Sequence, residues 1–231
     1  MKKSSDVEKE LQLRLKLLDT AKAAALQAHI NPHFLCNTLE VINFMALREL
    51  GEENDVSSTV ISLSKVLRQS LETETMFISL QAEIENSIEY IKIQKIRYKD
   101  RFKVEWQIDA DTRDCKVINI MLQPLLENAI YYGIKPLVDR CGLINVRSYF
   151  QEDQLIIEVS DNGAGMDRAA IDKLNNDMQQ EYIQKNRHIG LMNVNQRIKL
   201  LFGEEYGLVL KQNIENTGIT CSIILPNVDI S

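Results

Sequence analysis

A carboxylate and two glycines follow an apolar run in Asp161-Asn162-Gly163-Ala164-Gly165-Met166. In the run before it, residues 155–160, Leu155, Ile157 and Val159 alternate with other positions, which predicts a strand. A strand that delivers a carboxylate into glycines suits a nucleotide. The carboxylate can accept from the amine of an adenine ring, and residues without a Cβ let backbone come close to a ligand. Asp-Asn-Gly is equally a turn signal. The chemistry therefore rests on what accompanies it: Glu127-Asn128 and His33 upstream, Gly190-Leu191 downstream.

Asn128 sits among apolar residues in Leu122-Gln123-Pro124-Leu125-Leu126-Glu127-Asn128-Ala129-Ile130-Tyr131-Tyr132-Gly133. On a helix its carbonyl oxygen can serve a hydrated Mg²⁺; the plainer reading is a local cap or backbone bond. In His188-Ile189-Gly190-Leu191-Met192-Asn193 a glycine stands where a helix begins. Such an entry exposes backbone N–H groups on which phosphates bind, though it also occurs without function. A neutral imidazole such as that of His33 is a competent nucleophile near pH 7.

The elements that must position these residues are legible in outline. Residues 6–48 read as one long helix, with Leu11, Leu15, Leu18 and Ala25 at helical spacing and Pro32 favouring a kink. Beyond Pro32, one stripe holds Ile30, Phe34, Val41 and Met45. A second, offset by roughly 60°, holds His33, Asn37 and Glu40. Gly51 ends the helix. A second helix over 55–72 has Val56, Val60, Leu63 and Leu67 on one face. One such hairpin cannot bury both faces, and pairing two hairpins as a four-helix bundle predicts a homodimer.

After a polar linker at 72–75, Ser79 can cap a helix carrying Leu80, Ile84, Ile88 and Ile91. Phe102, Val104, Trp106 and Ile108 alternate as a strand; 117–132 reads as helix. Strands follow over 144–150 and 155–159 about a turn at Glu152-Asp153. Residues 167–187 are polar with little periodicity; 189–202 is helical and Gly203 stops it. Leu208 and Leu210, a turn at 216–218, and Ile219, Cys221, Ile223 and Leu225 make a closing hairpin. The class is α+β: a helical hairpin over 1–75, then a sandwich over 76–231 with helices on one face of a sheet.

Composition narrows the function classes. The net charge of −6 argues against a nucleic-acid partner. Cys36, Cys115, Cys141 and Cys221 are scattered without a CxxC pair, reading as reduced cytosolic thiols and not as a zinc site. No run of about 18 apolar residues is present to span a membrane, and no signal peptide follows Met1-Lys2-Lys3.

Asn128 in Glu-Asn-Ala, Asp161-x-Gly163-x-Gly165 and Gly190-Leu191 resemble the N, G1 and G2 boxes of the ATP-binding fold shared by histidine kinases, DNA gyrase, Hsp90 and MutL. Gln27-Ala28-His29-Ile30-Asn31-Pro32-His33-Phe34-Leu35-Cys36-Asn37-Thr38-Leu39 resembles the phosphoacceptor motif of LytS/YesM-type sensor histidine kinases. So do the stretch 90–102, with Gln94-Lys95-Ile96-Arg97-Tyr98, and Asn193-Val194-Asn195-Gln196-Arg197. The likeness runs over roughly 26–226.

The resemblance implies ATP and Mg²⁺ as cofactors and His33 as the phosphorylated residue, with His29 a bundle-surface histidine. Asn128 would hold Mg²⁺ between the phosphates and Tyr132 would stack on adenine. Asp161 would take the adenine amine over a floor shaped by Gly163 and Gly165. Gly190, Leu191 and Asn193 would border the phosphates, and Thr220 would close the adenine side. Residues 167–187 would be the ATP lid, mobile for want of apolar anchors. His188 stands where many relatives have Gly. ATPases of the superfamily carry a Glu base where this chain has Pro124; Glu127 remains to aid metal binding or proton transfer. Asn37, one turn past His33, would orient a water for dephosphorylation of the partner or bond locally near Pro32. Phe34 replaces an acidic neighbour, leaving Glu40 a distant candidate base. A response regulator is the implied partner, and a transmembrane sensor upstream would place this part in the cytoplasm. A gyrase- or chaperone-type hydrolase and a non-catalytic dimeric scaffold are the alternatives.

Overall fold

The computed structural model describes residues 32–51, 54–72, 75–99, 101–179, 189–213 and 218–227. Two compact units divide between Glu72 and Thr73. The apolar positions before Pro32, the lid residues 180–187, His188 and the turn residues 214–217 lie outside the described residues, as does any helix that Pro32 would kink.

The first unit is a helical hairpin of α1 (Pro32–Leu50) and α2 (Asp55–Glu72). The described part of α1 begins at Pro32. Gly51 ends it at φ +90, its N–H donating to Leu47 O at 3.1 Å. Asn54 then caps α2: its Oδ1 accepts from Ser57 N at 2.7 Å, and its amide returns to Gly51 O at 2.6 Å. Cys36, Ala46, Ser57, Val60 and Ser62 are buried between the helices. Val41 and Met45 of the expected apolar stripe are more than half exposed in the single chain, and so are Phe44 and Leu50, which were not assigned to it.

In the second unit Ser79 caps α3 (Leu80–Tyr98) as expected, its Oγ accepting from Ala82 N at 3.2 Å. A mixed sheet runs in the order β2 (Phe102–Ile108), β4 (Gly142–Gln151), β5 (Gln154–Asp161), β7 (Ile219–Pro226), β6 (Gly207–Gln212). β2 and β4 pair in parallel and the remaining pairs are antiparallel. Parallel pairing demands a crossover, and the chain from 109 to 141 supplies it with α4 (Leu122–Asn128) and a π-helical turn, Ala129–Ile134. α5 (Arg168–Gln179) and α6 (Ile189–Phe202) pack on β6. Period-two alternation buries Phe102, Ile144, Val146, Ile157, Val159, Cys221 and Ile223 on one face of the sheet. Each such aliphatic side chain contributes roughly 1.5–3 kcal/mol.

Two expectations are corrected. Residues 117–121 are not helical. Lys116–Ile118 forms β3, paired antiparallel with β1 (Phe77–Ser79), and Ile120 at φ +58 cannot sit in a right-handed helix. The stretch from 167 is not wholly an unanchored lid. Arg168–Gln179 is helical, with Ile171, Leu174 and Met178 buried at i, i+3 and i+7.

Candidate functional site

α4 delivers Glu127 and Asn128 to a cleft of about 350 Å³, and the π-helical turn adds Tyr132. Gly190 and Leu191 of α6 line the same cleft. Five expected residues thus meet in one place. Gly190 permits the approach: a Cβ there would stand 3.2 Å from Pro124 Cβ, tighter than most real contacts. Pro124 itself faces the cleft, so no carboxylate stands one turn before Asn128.

Tyr90, Gln94, Arg97 and Tyr98 of α3 line the same cleft. In the sequence these residues stand out only by their likeness to the family. Their i, i+4, i+7 and i+8 spacing marks one helix face; nothing in the sequence showed that this face borders Asn128.

Asp161 ends β5 in a cradle of glycines. Gly163 N–H donates to its Oδ1 at 2.7 Å. A Cβ on Gly133 would fall 2.6 Å from that oxygen, one on Gly163 would fall 2.3 Å from Gly133 C, and one on Gly218 would fall 1.9 Å from Asp161 O. None of the three positions admits a side chain without movement of the backbone or of Asp161. Gly165 sits at φ +72, a left-handed conformation that favours glycine. Asp161 is 5 % exposed, and burial raises its pKa to about 6 against the opposing hydrogen bonds from Gly163 and Ile219. Its carboxyl does not border the cleft of Asn128; Gly133 lies against it at the end of the turn that carries Tyr132.

Thr220 and Asn193 are not brought to these groups. Thr220 pairs with Ser160, one step out of phase with Asp161, and period-two alternation puts it on the other face of the sheet. The residue that shares the face of Asp161 is buried Ile219. Asn193 is exposed on α6, and Asn37 and Glu40 are exposed on α1. His33 lies in the first turn of α1.

Among the described residues no group of three or more His, Cys, Asp or Glu could hold a metal ion by itself. One amide oxygen from Asn128 suits Mg²⁺, which keeps its waters and binds mainly through substrate phosphates. Asn128 and the first turn of α6 beside it offer the phosphates of a nucleotide a place in this cleft, while Asp161 and its glycine cradle lie off it, past Gly133.

Asp161→Asn is expected to weaken ATP binding by roughly 1.5–3 kcal/mol, the worth of a hydrogen bond to a charged group. It should also erode preference for ATP over GTP, because guanine presents a carbonyl where adenine presents an amine. Asparagine keeps an oxygen for Gly163 N–H, so the loop should persist. With a folded pKa of about 6, Asp161 also predicts wild-type affinity falling as pH drops through 6, a dependence the asparagine variant lacks. Calorimetric titration giving equal ATP affinity for both proteins would remove Asp161 from the site.

Residues 21–102 match the family model "Histidine kinase", and residues 114–228 match "Histidine kinase-, DNA gyrase B-, and HSP90-like ATPase". Sensor histidine kinase YesM of Bacillus subtilis (strain 168) is 34% identical over 98% of this chain and 37% of its own length. Sensor histidine kinase YpdA of Escherichia coli (strain K12) is 32% identical over 96% of this chain and 37% of its own. Sensor protein LytS of Staphylococcus saprophyticus is 30% identical over 92% and 35%. The chain spans little more than a third of the length of these relatives.

Proposed function

Because this chain belongs to the LytS/YesM type of sensor histidine kinases, we infer that it acts as the ATP-dependent kinase core of a two-component sensor. The observation that carries the reading is the single cleft in which Asn128, Tyr132, Gly190 and Leu191 meet with no hydrolytic carboxylate at Pro124. That lining favours transfer to a side chain over transfer to water, and weighs against a hydrolase.

The α4 and α6 residues hold the triphosphate, while Asp161 and the glycine cradle take the base. Mg²⁺, when bound, supplies charge neutralisation on the phosphates, and Asn128 offers it one oxygen. A ring nitrogen of His33 attacks the terminal phosphorus, the bond to the bridging oxygen breaks, and ADP leaves with that electron pair. Glu127, exposed at the cleft and held by Gln123 Nε2 at 2.9 Å, is available to accept the imidazole proton. The phosphoryl group then passes to an aspartate of a response regulator. The upstream part of the whole protein is a membrane sensor, and this chain its cytoplasmic portion. Among the described residues no helix is long and apolar enough to cross a membrane. Incubation with γ-labelled ATP tests the reading: the protein should acquire label that is lost in acid and kept in base. Absence of such label with Mg²⁺ supplied and the regulator withheld would overturn it.

Exposed Val41, Ile42, Phe44, Met45 and Leu50 on α1, with Val56 and Ile61 on α2, make one hairpin an incomplete core. A second copy completes it as a four-helix bundle. Light scattering should find the full chain dimeric, and residues 76–231 alone monomeric yet able to bind ATP. A dimeric fragment, or a monomeric full chain at micromolar concentration, would contradict this.

A further inference from the structure

We propose that Arg97, presented by the last turn of α3 with Gln94 beside it, grips the terminal phosphate of the bound nucleotide and so distinguishes ATP from ADP. The assignment rests on the nucleotide reading of the cleft.

Three observations place Arg97 there. It lines the cleft together with Asn128 and Gly190, and among the described residues lining the cleft it supplies the one positive charge, against the negative charge of Glu127. A triphosphate held at Asn128 and the first turn of α6 brings more negative charge than one divalent cation offsets, and its outermost group carries the largest share. Second, helical side chains lean toward the N-terminus. Arg97 shares its helix face with Gln94 and Tyr90, one and two turns back, which also line the cleft. Glu127 and Arg97 act in opposite senses on the Tyr90 hydroxyl, which puts both charges close to it. Third, the support is firm. The Arg97 guanidinium lies 5.5 Å from the centroid of the Tyr98 ring, and Lys99 in a left-handed conformation closes the helix with its N–H on Ile96 O. Further back, Leu80, Ile84 and Ile91 bury α3 in the core. A planar guanidinium makes two parallel hydrogen bonds to a phosphate, which an ammonium cannot reproduce.

The test is calorimetric titration of the full chain with MgATP and with MgADP, in wild type, Arg97→Ala and Arg97→Lys. Arg97→Ala should lose on the order of tenfold or more in ATP affinity, as expected for charge-assisted bonds to phosphate, while its ADP affinity holds. Arg97→Lys should recover part of the ATP affinity through charge alone. Equal losses for ATP and ADP would show a role in shaping the cleft instead, and unchanged ATP affinity would remove Arg97 from the site. Either result overturns the proposal while leaving the nucleotide reading in place. A wild-type protein that binds neither nucleotide overturns the nucleotide reading, and the proposal with it.

Discussion

His33→Ala is expected to leave no phosphorylated protein, while affinity for ATP stays as in wild type. The loss should be complete and not graded, because the variant lacks the atom to which the phosphoryl group would bond. Binding should survive because the groups assigned to the nucleotide all lie in the unit from Thr73 to Ser231, whereas His33 belongs to the unit that ends at Glu72. Alanine, the best helix former, should leave α1 undisturbed, which also favours a clean readout. The measurements are labelling with γ-labelled ATP and calorimetric titration on the same preparation. If His33→Ala still takes up label and His29→Ala does not, the phosphoacceptor is misassigned. A loss of ATP affinity together with the label would mean that the two units do not divide the work as described.

Much of this arrangement was open to inspection in the chain. Ser79, Gly51 and Gly203 mark helix ends by local chemistry, and the alternating strands expose their period directly. Asn128 and Gly190 carry local signals, an amide on an apolar helix and a glycine at a helix entry. Tyr132 and Leu191 stand out only by the family resemblance, and the proximity of the four is a product of the fold. Other features were hidden for identifiable reasons. β1 and β3 are three residues each, too short for a period to show, and Val117-Ile118 reads equally as helix or strand. Ile171, Leu174 and Met178 did carry a helical signal, obscured by the Asn, Asp and Gln around them. The phase of Thr220 could have been counted from Cys221 and Ile223, whose buried face it cannot share. The facing of Tyr90, Gln94, Arg97 and Tyr98 toward Asn128 depends on long-range packing of α3 against α4, which no local pattern encodes. Glu83 belongs with these, because its partners lie nearly forty residues away in the chain.

Glu83→Ala is expected to cost about 3 kcal/mol or more of stability, at roughly 1–3 kcal/mol for each N–H group left without an acceptor, and to weaken ATP binding along with it. Glu83 stands in the first turn of α3 and is 1 % exposed. Its Oε1 accepts from Met121 N and Leu122 N at 2.8 Å each, and its Oε2 accepts from Ile120 N at 3.0 Å. A side chain from another helix thus caps α4 and holds Ile120 in its left-handed conformation. Arg197 of α6 adds its charge nearby and donates to Asn119 O at 2.8 Å. One carboxyl therefore ties together the three helices that line the cleft, and alanine would leave three buried N–H groups without an acceptor. Burial raises the pKa of Glu83 to about 7, outweighing the hydrogen bonds and Arg197 that favour the charged form. A carboxyl whose pKa is raised on folding stabilises fully below its unfolded value, near 4.5, and that contribution is lost as pH climbs through 7. The full swing is about 3 kcal/mol for a shift of this size. Glu83→Gln keeps an oxygen for Met121 and Leu122 and cannot titrate, so its stability should fall less than that of wild type between pH 5 and 8. Trp106, the single tryptophan, lies on β2 and reports unfolding of this unit by fluorescence in urea. If the glutamine variant and wild type lose stability in parallel over that range, the titrating group is not Glu83. If Glu83→Ala unfolds at the wild-type urea concentration, the cap does not hold α4.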